Sequence, residues 1–313
     1  MVIMRDVIII GSGPAGLSAA VYGKRAALDV LVVEKEATSG GQIINTYEVD
    51  NYLGLKGING FEMAMKFREH ADQLGAEFIV GEAGGIEMIE PGHPEKGYSV
   101  KIDNGISITE EATKCIIIAT GAKHALLGVD GETRFTGRGV SYCATCDGAF
   151  FRNKTAIVVG GGDVAVEDAI YLSNLCSKVI LVHRRDQLRA VGALQEQIIS
   201  AGKVEFCWDS VVTSINGEDR VSSVNIRNVR TGEETSVDTD AVFIAVGMVP
   251  INSAALGVVD LDDKGYIIAG EDCKTSQYGI FAAGDIRTKK LRQIITAAAD
   301  GAVAITGVSE LIG

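Results

Sequence analysis

The chain has 313 residues, 47 % hydrophobic and 22 % charged, long enough for two domains and apolar enough for buried cores. Its 41 acidic against 29 basic side chains give a formal charge of −12, which leaves no basic surface on average for a nucleic-acid backbone or an anionic membrane. The start, "MVIMRDVIII", enters a strand-like apolar run at once without the charged and small-residue flanks of a secretory signal, so a cytoplasmic location is expected.

The first element to carry information is "VIIIGSGPAGLSAAVYGKRAALDVLVVEK", residues 7–35. It reads as strand, glycine turn, helix, strand. A β-branched apolar run suits a parallel strand covered on both faces. Gly11 allows the tight turn, Gly13 lets the main chain approach a pyrophosphate, and Gly16 lets helix and strand pack closely. Ser12, Pro14 and Ala15 complete the turn, whose following helix aims its first N–H groups at phosphate. At the end of the second strand Glu34 is suited to a free ribose 2′-OH and would repel a 2′-phosphate. "SGGQI", 39–43, then offers two adjacent glycines, Gly40 and Gly41, where backbone can come close to a flat ligand. Further on, "CIIIATGA" (115–122) drives another apolar strand into a small-residue turn.

"AIVVGGGDVAVEDAIYLSNLCSKVILVHR", 156–184, repeats the first element without a gap at an offset of 160 − 11 = 149. Gly160, Gly162 and Ala165 take the places of the three glycines. Counting from the first glycine, 34 − 11 = 23 and 183 − 160 = 23, so His183 stands where Glu34 stood. The run "HRRDQLRA" supplies His183, Arg184, Arg185 and Arg189, whose guanidinium forks suit a phosphate dianion, so the second site favours NADPH over NADH. A solvated basic patch is the bland alternative. The charge-free window 241–259 has membrane-spanning length, but Gly247, Pro250, Asn252 and Ser253 interrupt it, and it reads as a buried strand, a turn and a short segment. "GIFAAGDIR" (279–287) puts Gly284 and Asp285 at a strand end, where a carboxylate can hold sugar or ribityl hydroxyls or be ordinary core and loop. "RQIITAAADGAVAITGVSELI" closes the chain as a helix with small and apolar residues facing a core.

The motifs "GSGPAG", "SGGQI", "EVDNYLG", "IIIATGA", "SYCATCDG", "GGGDVAVEDA", "HRRDQLRA", "GIFAAGDI" and "RQIITAAADG", in that order and spacing, resemble those of the bacterial-type, low-molecular-weight thioredoxin reductases within the pyridine nucleotide-disulfide oxidoreductases. Two departures stand out: Leu188 where that family more often has Phe, and Tyr142 where a smaller residue is common. The resemblance implies an α/β fold of two Rossmann-like, three-layer ββα domains. A discontinuous FAD domain (1–121 and 251–313) would receive an inserted NADPH domain (122–250). It implies FAD in the first site, held by Gly11, Ser12, Gly13, Pro14, Ala15, Gly16, Glu34, Lys35, Gly40, Gly41, Gln42, Asn51, Thr120, Gly121, Gly284 and Asp285. Arg292, Gln293 and Ile294 at the start of the last helix would bring positive dipole to the flavin pyrimidine, although a purely structural helix would read almost alike. NADPH would lie on Gly160, Gly162, Asp163, Val164, Ala165, His183, Arg184, Arg185 and Arg189.

"SYCATCDGAF", 141–150, has three readings: half a zinc site, inert thiols, or a redox disulfide. No second CxxC accompanies it and the histidines, His70, His93, His124 and His183, are scattered, which disfavours a metal. The polar, turn-like context disfavours buried thiols, and two dinucleotide sites favour redox chemistry. By resemblance, Cys146 is the sulfur nearest the flavin and Cys143 the one that attacks thioredoxin. Asp147 is either the acid that protonates the leaving thiolate or a helix N-cap. Phe150, Phe151 and Arg138 are either a partner-docking surface or, for the aromatics, core. Cys115, Cys176, Cys207 and Cys273 are expected as core or surface thiols.

Cys146 precedes Gly160 by 160 − 146 = 14 residues, so disulfide and nicotinamide belong to one domain and cannot both occupy the flavin face at once. A rotation about linkers near 121–125 and 247–252 is expected to alternate them. A homodimer is implied by the resemblance alone. Competing functions keep the fold and change a partner, through a ferredoxin-type donor, which the basic run disfavours, or a dithiol oxidase. A further alternative is a redox-sensing binding protein without turnover.

Overall fold

Each of the two glycine repeats lies at the centre of its own parallel sheet. The computed structural model describes residues 4–46, 49, 51–200 and 202–313; Glu48 and Asp50 of the EVDNYLG motif lie outside these. The strands, in chain order, are β1 (Met4–Ile10), β2 (Val30–Glu34), β3 (Glu77–Val80), β4 (Glu82–Met88), β5 (Tyr98–Asp103), β6 (Ile108–Ile118), β7 (Ala122–His124), β8 (Val140–Ser141) and β9 (Thr155–Gly160). Then come β10 (Lys178–Val182), β11 (Val204–Cys207), β12 (Ser210–Gly217), β13 (Val221–Asn228), β14 (Glu234–Asp238), β15 (Ala241–Ala245), β16 (Met248–Pro250) and β17 (Ile280–Ala282). The helices are α1 (Pro14–Arg25), α2 (Gly60–Gln73), α3 (Glu132–Phe135), α4 (Ala144–Asp147), α5 (Asp163–Ser173), α6 (Gly192–Ser200) and α7 (Ile294–Ile312).

The chain divides into two compact units, Met1–Lys123 with Val249–Gly313, and His124–Met248. These divisions fall within β7 and β16, whereas the sequence boundaries were expected at 121/122 and 250/251. In the first unit the sheet order is β3-β2-β1-β6-β5-β4, with β17 beside β6. β1, β2, β3, β6 and β17 run parallel, while β5 pairs antiparallel with β6 and β4 antiparallel with β5. The alternation of a strand decides which layer each residue joins. Val7 and Ile9 of β1 pack with α1 and α7 through Leu17, Ala304 and Ile305. Ile8 and Ile10 face the other side, with Tyr98, Val100, Ile102 and Ile267. All four are at most 4 % exposed, which is why the run is uninterrupted by polar residues.

α7 lies so close to α1 that a Cβ on Gly301 would sit 2.0 Å from the Ala15 carbonyl oxygen. It is the one described helix long and apolar enough to cross a bilayer by length and composition, and Ala297, Gly301, Ala304, Ile305 and Val308 form its buried stripe. The second unit has a parallel sheet β11-β10-β9-β15-β8 and an antiparallel meander β12-β13-β14. Val158 of β9 packs toward α5 with Ala165 and Leu172. Ile157 and Val159 pack toward the meander with Ile215, Val224 and Ile226. Both units are thus built as helices, parallel sheet and antiparallel strands, and the window 241–259 opens with the buried strand β15.

Candidate active site

In the first unit the glycine turn is shaped by close approach. Gly11 has φ +104°, and an added Cβ would lie 2.5 Å from Ala119 O; a Cβ on Gly16 would lie 1.9 Å from Gly11 O. Nothing lies within 4 Å of the Cβ position of Gly13, which leaves the N-terminal end of α1 open to a ligand. Glu34 Oε2 accepts from both the N–H and the hydroxyl of Ser12 at 2.7 Å, tying the end of β2 to the turn. Gly40 N–H donates to Ser12 O at 2.8 Å, and a Cβ on Gly41 would come within 3.3 Å of Gly13 Cα. The SGGQI loop therefore lies on the turn. Gln42 donates to the Ala122 carbonyl, and Thr120 Oγ1 donates to Ile251 O at 2.6 Å. Gly121, at φ +72°, accepts from Ile251 N–H at 2.9 Å.

Asn51 donates to Gln293 Oε1 at 2.9 Å, joining the second motif region to the start of α7, which begins at Ile294. Lys35 makes an exposed ion pair with Glu82 at 2.9 Å. Behind the turn at Gly284–Ile286, Asp300 of α7 accepts from Gly284 N–H and Arg287 Nε at 2.9 Å, from Lys289 Nζ at 2.8 Å and, through its other oxygen, from Arg287 at 2.8 Å. Asp300 is held below the usual carboxylate range by those cations, against the cost of burial. Asp285 beside it is pushed up, chiefly by burial. Its Oδ1 and Arg292 Nε are buried without a hydrogen-bond partner. Buried polar atoms are normally satisfied, so an unfilled acceptor beside an open glycine turn fits a hydroxyl-rich ligand such as the ribityl chain of FAD. Arg292 lies 4.2 Å above the Tyr266 ring.

In the second unit Gly162 precedes α5 with nothing within 4 Å of its Cβ position. Of the residues after Gly160, Asp163 accepts from Val191 N–H at 2.9 Å, Val164 is 61 % exposed and Ala165 is buried. His183 is only 4 % exposed; its ring packs on Gly161, whose Cβ would lie 2.3 Å from it, and edge-on to Trp208. Burial first, then Arg189, Arg185 and Arg184, push its pKa down. His183 is therefore neutral at pH 7, and the cationic charge here comes from the arginines. Arg184, Arg185 and Arg189 are exposed and none is in an ion pair among the described residues. That arrangement fits a 2′-phosphate.

The redox motif follows β8. Cys143 and Cys146 are joined by a disulfide with Cα atoms 5.3 Å apart, both half-buried. The short helix α4 closes it, with Asp147 N–H donating to Cys143 O at 3.1 Å. Asp147 precedes a 3₁₀ turn, Gly148–Phe151, but its side chain makes no capping bond. It accepts instead from Ser141 Oγ at 2.6 Å, and burial raises its pKa against that hydrogen bond. The N-cap alternative therefore gives way to a carboxyl held beside the disulfide. Phe151 packs edge-on against Phe243 in the core, whereas Phe150 is 43 % exposed and Arg138 is exposed. The other thiols, Cys115, Cys176 and Cys273, are buried and Cys207 is half-buried. Burial pushes Cys115 up to about 11 and Cys273 up to about 12, so neither is a nucleophile at neutral pH. No three His, Cys, Asp or Glu side chains converge on a metal position among the described residues.

A family model described as pyridine nucleotide-disulphide oxidoreductase matches residues 5–301. The chain belongs to that family. Within the family it is 47 % identical over 300 residues to a thioredoxin reductase of Listeria innocua, covering 96 % of this chain and 91 % of that one. It is 45 % identical to one of Bacillus subtilis, covering 98 % and 94 %. A crystal structure of thioredoxin reductase from Streptococcus pyogenes superimposes with a TM-score of 0.87 at 47 % identity, over 99 % of this chain and 98 % of that one. One from Lactococcus lactis, described as the FR conformation, gives 0.67 at 43 % identity over 98 % of each.

Two side chains that brace the candidate site are not singled out by the sequence. Asp300 is the buried acid of the largely apolar helix α7, whose other acid, Glu310, is exposed, and a buried carboxylate calls for a cation partner. Ser141 stands two residues before Cys143, and its partner is set by the fold of the turn.

Proposed function

We infer that the chain is an NADPH-dependent flavoprotein disulfide reductase whose Cys143–Cys146 pair reduces thioredoxin. The observation that carries this is a closed CxxC disulfide in the unit that also holds the second glycine turn and three unpaired arginines. FAD, when bound, takes the hydride of NADPH and supplies the electron pair that opens a disulfide. The remaining work falls to the chain. In the first unit Glu34, Ser12, Gly13 and Asp285 hold the flavin dinucleotide. In the second, Arg184, Arg185 and Arg189 hold the 2′-phosphate and exclude NADH by leaving their charges unmatched.

Opening the disulfide requires two electrons and two protons. Asp147, kept protonated to higher pH by burial, hands a proton to the departing sulfur and is reprotonated from solvent. Cys143, giving its proton to solvent, attacks the disulfide of thioredoxin as thiolate, and the first released thioredoxin sulfur takes up a proton; Cys146, likewise deprotonated, attacks Cys143 Sγ, re-forms the internal bond and releases the second sulfur, which is protonated in turn. The two linkers, near 121–125 and 247–252, serve as hinges that bring disulfide and nicotinamide to the flavin in turn. Thioredoxin docking at Phe150 and Arg138, a cytoplasmic homodimer, and the absence of nucleic-acid or membrane partners complete the proposal.

Rapid mixing with NADPH should bleach the flavin absorption, and oxidised thioredoxin, not oxygen alone, should restore it. Cys146→Ser should keep flavin reduction and lose thioredoxin reduction; a variant that still reduces thioredoxin at the wild-type rate overturns the disulfide route.

A further inference from the structure

We propose that Ser141 is a positioning residue of the reaction, whose hydroxyl aims the Asp147 carboxyl and sets the pH range in which that carboxyl holds its proton. The proposal rests on the reading of Asp147 as the acid. Ser141 ends β8, is 5 % exposed and is fixed by pairing of β8 with β15, opposite Phe243. Its oxygen accepts from Cys143 N–H at 3.1 Å. It has one hydrogen to give, and of the two acceptors in reach the carboxylate oxygen of Asp147 at 2.6 Å is nearer than the Cys143 carbonyl at 3.3 Å. One hydroxyl therefore ties the first residue of the disulfide to the residue that follows its last.

The physical consequence has a sign. A donor to the ionised carboxylate favours the charged form and lowers its pKa, whereas burial raises it. Both act on Asp147, and burial is the larger. Elements packed around it bring other ionisable groups: Asp163, Glu167, Asp168 and Tyr171 on α5, Tyr142 with its partner Glu132 at 3.0 Å, and Arg152 after the 3₁₀ turn. None of these contributes to the shift of Asp147, whose causes are burial and Ser141 alone. Among the described residues the hydroxyl is thus the one side-chain group that opposes burial at this carboxyl, and it does so from a buried, strand-fixed position.

The test uses the FAD-loaded full chain and follows the alkaline limb of thioredoxin reduction against pH, together with an infrared titration of the Asp147 carboxyl in the dithiol form. Ser141→Ala should move both upward by about one pH unit, since burial is then unopposed, and Ser141→Thr, which keeps the hydroxyl, should restore both. Ser141→Gly serves the same purpose should the alanine variant not fold. A merely structural serine would change the rate at every pH and leave the limb in place; that result overturns the proposal. Asp147→Asn distinguishes the two failures. If it abolishes the limb while Ser141→Ala leaves it unmoved, only the role of Ser141 falls. A limb that survives Asp147→Asn, or is absent from the wild type, removes the acid assignment and the proposal with it.

Discussion

Glu34 and His183 occupy equivalent places in two copies of one backbone plan, yet they do opposite things. Glu34 turns its carboxylate back to Ser12 with two 2.7 Å hydrogen bonds, so the first turn is braced by a buried-side anion. His183 packs a neutral ring on Gly161 and beside Trp208, and the charge of its site lies outside, on exposed arginines. A similar inversion separates two groups of charged residues. In the first unit Arg287, Lys289 and Asp300 are buried and paired, whereas in the second Arg184, Arg185 and Arg189 are exposed and in no ion pair among the described residues. The repeated strand–turn–helix fixes where a dinucleotide lies; the side chain at the strand end and the burial of nearby charge decide which one.

The third small residue of the turn gives a large expected break. Gly16→Ala would force a methyl to within 1.9 Å of a backbone oxygen. We expect a loss of about 3 kcal/mol or more, seen as a lowered Tm and loss of bound FAD. The equivalent position of the second unit already carries a buried alanine, Ala165, so Ala165→Gly should cost only about 1 kcal/mol. Equal effects of the two would sink the view that α1 lies closer to its turn than α5 does.

Next comes the buried charge. Asp300→Ala strips Arg287 and Lys289 of their buried partner and should cost about 3–5 kcal/mol, with weakened flavin binding because Gly284 N–H loses its acceptor. Asp300 has a folded pKa below its ordinary 3.8. The stability it contributes is therefore present above about pH 4 and lost as the pH falls through the lower folded value. Asp285 has the reverse sign. Its raised pKa means that stability of the FAD-free protein falls as pH rises past the unfolded value. Asp285→Asn should accordingly raise the Tm of the apoprotein while lowering its affinity for FAD, as read by flavin fluorescence.

How far these features could be read in the sequence follows from their range. β1, its turn and α1 were legible because a strand, three glycines and an amphipathic helix signal through local spacing, and the repeat at 149 doubled the signal. Glu34 was legible by counting. The partners of Asp300 were not: they lie 13 and 11 residues earlier, in an irregular segment with no local pattern that brings it to α7. Ser141 and Asp147 are six residues apart, yet a serine before a CxxC could face either way until β8 is paired. His183 was read as part of a cationic cluster from its neighbours in sequence, and only the close backbone of Gly161 reveals that it is buried and neutral. Lys35, placed with the cofactor residues by its position after Glu34, pairs with Glu82 on the surface.

The exposed arginines offer a smaller and more selective effect. Each charge-assisted bond to a phosphate is worth about 1.5–3 kcal/mol, so Arg184→Ala, Arg185→Ala or Arg189→Ala should raise the KM for NADPH about 10-fold or more and leave that for NADH nearly unchanged. An equal loss for both cofactors would mean that these residues brace the fold rather than read the phosphate.

His183 should give the smallest effect of all, and its smallness is informative. With its pKa pushed below the ordinary 6.5 by burial and three arginines, it carries no charge over the working range. The KM for NADPH should therefore show no inflection near pH 6.5, and His183→Gln, which keeps a polar side chain in the same place, should change that KM by less than about 3-fold, within one neutral hydrogen bond. The stability contribution of His183 is present above the unfolded value and fades as the pH drops through the lower folded one, so the second unit should lose stability only on the acid side. Trp208, the single tryptophan and the edge-on neighbour of this ring, reports both: its fluorescence should respond to NADPH at neutral pH and to the protonation of His183 only in acid. A strong inflection near pH 6.5 in NADPH binding would show that His183 holds the phosphate as a cation, and would make the two strand ends, anion and cation, true opposites rather than a braced acid and a packed neutral ring.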